Sequence, residues 1–218
     1  MRIIQVVVMC GLIVVAGACG VEGRTYTRAE SSAEAARLRT ALATLDGLPE
    51  GFSARARESW RPPFSPRKKA CRILFDAAAG SPPRDGLGGT ATATFEGDHI
   101  GELAGVGLAV YTGGGGASER LGELRDAMEG CGTARSGAMG GNDRLVATEL
   151  ALGDVGADVE ARRLTGRVGG YPYEMHLVVA GVGHTVIALV HAGLTPPDAG
   201  RTEELARSLV REVGSLDS

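Results

Sequence analysis

The chain has 218 residues, 23 basic and 26 acidic side chains for a net charge of −3, and an apolar fraction of 44%. That length supports one domain with a real core, and an acidic balance in which no basic patch stands out argues against a nucleic-acid partner. Lysine occurs only as Lys68 and Lys69 while arginine, alanine and glycine are abundant, a bias of GC-rich genomes such as those of actinobacteria.

Met1-Arg2 followed by an apolar run to Val15 and by Ala16-Gly17-Ala18 has the order of a secretory signal, and the run is short for a membrane span. Small residues directly before Cys19 resemble a lipobox. The expectation is therefore a signal peptide over residues 1–18, a lipidated Cys19 with a polar tether over 19–30, and one globular domain over 31–218. The protein would then sit on the outer face of the cell membrane, held by acyl chains. Loss of Arg2 would leave 22 basic against 26 acidic side chains in the mature chain.

Ser31 with Glu34 reads as the capping box of a first helix, whose stripe is Ala35, Leu38, Leu42 and Leu45. Asp46-Gly47 ends it. Trp60-Arg61-Pro62-Pro63-Phe64 is loop, since paired prolines suit neither helix nor ladder. Trp60 and Phe64 are the candidates there for edging a ligand cleft; the alternative is that such rings close over the core. Ser65 and Pro66 read as the start of a second helix, with Cys71, Leu74, Phe75 and Ala78 on its apolar face. Thr90–Glu96 alternates with period two, and Leu103–Tyr111 is a second strand. A third helix with Leu121, Leu124 and Met128 runs to Gly130. Arg144–Leu152, Val159–Val168, Tyr173–Ala180 and His184–His191 read as strands, the last two joined at Gly181. A final helix spans 201–213. Hairpins dominate, so the fold class is α+β: an antiparallel sheet with helices packed on it.

Cys71 and Cys131 remain once Cys10 is removed and Cys19 lipidated, and an even remainder in an exported chain reads as one disulfide. It would join the start of the second helix to the end of the third.

No constellation in the sequence carries catalysis. Gly113–Gly116 before a helix lacks the Lys-Ser/Thr of a phosphate loop and places Glu119 in the first turn. Ser65-Pro66-Arg67-Lys68 matches Ser-x-x-Lys, but no Lys-Thr-Gly follows. His99, His176, His184 and His191 lack the close spacing of zinc ligands and read as residues on the sheet surface, so neither metal nor cofactor is expected.

The order of these features resembles the PknH-like extracellular sensor domain. The features are the lipobox, a helix leading into Leu48-Pro49-Glu50-Gly51-Phe52, Cys71 in a helix, Cys131 after one, and Leu152-Gly153-Asp154 before three strands and a closing helix. The resemblance spans about residues 30–214; the Mog1/PsbP-like lipoprotein fold has a similar order of elements. It implies a helix-backed antiparallel sheet, a cleft that binds a ligand, and no enzymatic activity. The family is described with two disulfides, and this chain can form one. The function expected is a membrane-anchored lipoprotein with a non-catalytic ligand- or partner-binding domain. The alternatives are an envelope hydrolase assembled from scattered residues, and an interaction module with a flat apolar patch.

Overall fold

Apolar residues spaced by two along the strands and by three and four along the helices need partners on both sides of one sheet, and the fold supplies them. The structure is a computed structural model that describes residues 27–112, 116–156 and 158–216. Cys19 and most of Gly113–Gly116 lie outside the described residues.

Seven strands form one antiparallel sheet: β1 (Leu87–Glu96), β2 (Leu103–Tyr111), β3 (Thr133–Arg135), β4 (Arg144–Glu149), β5 (Asp158–Val168), β6 (Tyr171–Val182) and β7 (Thr185–Gly193), in the order β1-β2-β7-β6-β5-β4-β3. Four helices flank it: α1 (Arg28–Ala43), α2 (Lys69–Ala78), α3 (Gly116–Gly130) and α4 (Ala199–Leu216). Alternation along the strands splits the core in two. Met175, Leu177 and Val179 enter the core with α2 and α3. Val178 and Ala180 enter the other, with Leu38 and Leu42 of α1 and Leu205 and Leu209 of α4. Central β7 is buried at every residue, which accounts for its near-continuous apolar run.

The elements follow the sequence closely, with local corrections. Helix α1 starts one turn before Ser31: the Thr27 hydroxyl accepts the Glu30 N–H and the Glu30 carboxylate accepts the Thr27 N–H, completing a capping box there. Helix α2 starts at Lys69 instead of Ser65. The reason is tertiary. Residues 65–67 run extended along β3, with Gly137 N–H donating to the Ser65 carbonyl and Arg67 N–H to that of Arg135. The β6–β7 turn falls at Gly183-His184, because Gly181 remains in the ladder opposite Val186. The short strand β3 was not expected.

Close approach depends on Gly105 and Gly107 in β2. A Cβ at Gly105 would collide with the Trp60 side chain, and one at Gly107 would overlap the Ala77 carbonyl oxygen. Cys71 and Cys131 form a disulfide across 60 residues, with Cα atoms 4.9 Å apart, between α2 and the end of α3. It joins the two helices of one face, as the cysteine count implied.

Candidate functional site

The polar groups that the core encloses are concentrated at one end of the sheet. His176 on β6 and His191 on β7 lie directly opposite each other and face α4, and both are fully buried. This corrects the surface placement expected for them; His99 and His184 do lie at exposed positions. Between the two rings stands Thr202 of α4, also fully buried. Its Oγ1 lies 2.7 Å from His176 Nδ1, 2.8 Å from His191 Nδ1 and 2.9 Å from the Asp198 carbonyl oxygen.

Glu102, where the β1–β2 loop enters β2, closes the chain. Its Oε1 is 3.0 Å from His191 Nε2, and its Oε2 is 2.8 Å from His99 Nδ1. Burial opposes ionisation of this carboxyl, but hydrogen bonds from His191 and His99, with the nearby Arg201 charge, hold it down to about 2. Burial, then the charges of His191 and Arg163, push His176 down to about 4. Burial also lowers His191, against the pull of Glu102.

These protonation states determine the hydrogen bonds. His191 donates Nε2–H to the Glu102 carboxylate, and Thr202 donates its one hydroxyl proton to the Asp198 carbonyl. Thr202 then accepts Nδ1–H from His176. His176 Nε2 is left without a hydrogen-bond partner, 3.4 Å from Glu174 Oε1.

Arg201, next to Thr202, ties the surrounding loops to this network. It donates to Asp98 Oδ1 at 3.1 Å and to the Glu50 carbonyl at 2.9 Å, and it lies 3.5 Å from Glu102 Oε2. Its guanidinium carbon stands 4.8 Å from the centre of the Phe52 ring, which meets His191 edge-on at 5.5 Å. Asp98, His99 and Glu102 bring three ligand atoms within 4.8 Å of one another, a donor set that could hold a cation. Arg201 contacts all three residues and supplies the positive charge that they would otherwise draw from an ion.

The order Glu102–His191–Thr202 resembles a nucleophilic relay in composition only. The hydroxyl is enclosed and fully engaged, so a substrate has no path to it, and the ring turns Nδ1 toward it instead of the Nε2 of a serine-protease relay. What the arrangement can do is hold α4, the β1–β2 loop and the 48–52 segment in one register.

Trp60 and Phe64 both pack against Phe75, each with ring centres 5.9 Å away, and both are buried. The rings close over the core. Trp60 also borders a cavity of about 520 Å³ with Ser59, Arg61, Pro62, Ala79 and Thr92. A second cavity, about 410 Å³, lies between β5 and the segment Leu150–Gly156. Among the described residues no helix is long and apolar enough to cross a membrane.

No family model matches the chain, and no curated protein sequence does. Among solved structures, the fold is similar to the extracellular domain of PknH from Mycobacterium tuberculosis, with a TM-score of 0.55 and 10% identity over 90% of this chain and 100% of that one.

Proposed function

We propose that this protein is an exported, lipid-anchored, non-catalytic domain that binds a ligand or partner outside the cell, as a sensor module does. The observation that carries the reading is the likeness of fold to an extracellular domain over that domain's whole length. The Cys71–Cys131 bridge supports it, because disulfides persist in oxidising compartments. The small-residue approach to Cys19 supplies the anchor in this reading. Enclosure of the principal polar network inside the core favours binding over catalysis.

Native mass spectrometry of the protein extracted gently from its own host tests the reading. A diacylglyceryl mass on Cys19, a two-hydrogen deficit for the bridge and a non-covalent adduct are the expected results. An unlipidated full-length chain would refute the anchor, and turnover of an envelope substrate would refute the non-catalytic assignment.

A further inference from the structure

Four arginines that are scattered in sequence stand in one row. Arg135 of β3 pairs with Arg144 of β4, and Arg144 pairs with Arg167 of β5. The Pro66–Ser136 bridge continues the row outward, with Arg67 N–H donating to the Arg135 carbonyl at 2.9 Å. Ala134, Leu145 and Leu164 turn into the α2–α3 core, so the arginines of β3, β4 and β5 project from the opposite face. Bridged Pro66 and Ser136 are both buried, so the alternation turns Arg67 outward beside Arg135. All four are exposed.

Such a row is unfavourable by itself. Adjacent strands stand about 4.8 Å apart, and like charges directly opposite each other destabilise a sheet. Elsewhere Arg57 pairs with Glu96, and Arg125 with Asp158. Among the described residues none of the four row arginines makes an ion pair. Two carboxylates of the neighbouring segments have other partners: Asp143 accepts the Gly169 N–H, and Glu174 lies against Arg163 and accepts from Thr165.

We infer that this arginine row is the docking surface for an acidic polysaccharide of the cell envelope, whose carboxylates contact the guanidiniums. The inference rests on the binding function proposed above and deepens it. Guanidinium forks match carboxylates in geometry, and the exposed Thr148 and Thr165 on the same face offer hydroxyls to a sugar. An extended acidic peptide fits less well, because it brings fewer hydroxyl groups to meet those two threonines. A bilayer fits less well also. Helix α1 starts against Gly89 at the beginning of β1, whereas the row lies at the other end of the sheet, away from a lipid anchor preceding α1.

The test is calorimetric titration of the disulfide-intact domain with an oligogalacturonate, at low and raised salt. Binding should weaken with salt and fall by roughly tenfold in R135E/R144E, the order expected for reversing two exposed charges. It should be unchanged in R39E, an exposed arginine outside the row. The single variant R144E should also melt at a higher temperature, since it sets a glutamate opposite both Arg135 and Arg167; R135Q/R144Q supplies the binding test if the reversed pair fails to fold. Equal affinity of variant and wild type would overturn the inference. So would no binding of the oligogalacturonate, or tighter binding to poly-L-glutamate, phosphatidylglycerol vesicles or DNA. A different cargo found by native mass spectrometry would leave the general binding function standing and sink only the polysaccharide.

Discussion

Thr202 has one hydroxyl proton and three neighbours placed to take part in its hydrogen bonds. Replacing it by valine keeps the shape and leaves both buried Nδ1 atoms without a partner. Thr202→Val should cost about 1–3 kcal/mol, read as a lower urea midpoint at unchanged slope. The same residues predict acid lability. His176 and His191 have folded pKa values below the ordinary 6.5, so the unfolded chain takes up protons that the native state refuses. Their contribution is complete above about pH 6.5; that of His176 is lost as the pH falls towards about 4, and that of His191 is lost on acidification below 6.5. Glu102 acts in the same direction lower down: its contribution is present above about 4.5 and is lost towards about 2. Urea midpoints should therefore decline steadily on acidification, and a midpoint that rose below neutrality would contradict the neutral buried histidines. The histidine pair was accessible from the sequence in one step. A two-residue turn at Gly183-His184 places His176 opposite His191, whereas a turn at Gly181 hides the pairing. The part played by Thr202 could not be read, because nothing in α4 shows which turn meets which strand.

At the scale of elements, period and punctuation were sufficient for most of the chain. Leu103–Tyr111 was predicted at its observed limits, and the stripes Leu121, Leu124, Met128 and Leu205, Leu209, Val213 are buried as their spacing requires. The misplaced starts of α1 and α2 have different causes. In α1 two capping boxes lie close together, and the one at Thr27 begins the helix. In α2 a suitable cap at Ser65 loses to backbone pairing with β3, a long-range competitor invisible to local chemistry. Glycine in β2 is a site of contact. Gly107→Ala should push the end of α2 off the sheet and cost about 1–3 kcal/mol by overpacking. Thermal melting followed by circular dichroism should show the drop, and a neutral result would mean that α2 can shift without loss.

For the whole molecule, the bridge between Cys71 and Cys131 closes a 60-residue loop, and removing it through Cys71→Ala/Cys131→Ala should destabilise the fold by roughly 4 kcal/mol. A reductant should lower the wild-type melting temperature and leave the double variant unchanged. The sequence by itself determined the α+β class, the order of the elements apart from β3, and the cysteine pair. Each of these depends on neighbours a few residues away or on simple counting. Only the tertiary structure decided that the histidines are buried, that Arg201 neutralises a would-be cation site, and that an acidic chain carries a row of four arginines. Those outcomes depend on register between strands and helices far apart in sequence. A shift of one residue turns a side chain to the other face of a sheet, so the composition of a surface is settled only when the strands pair.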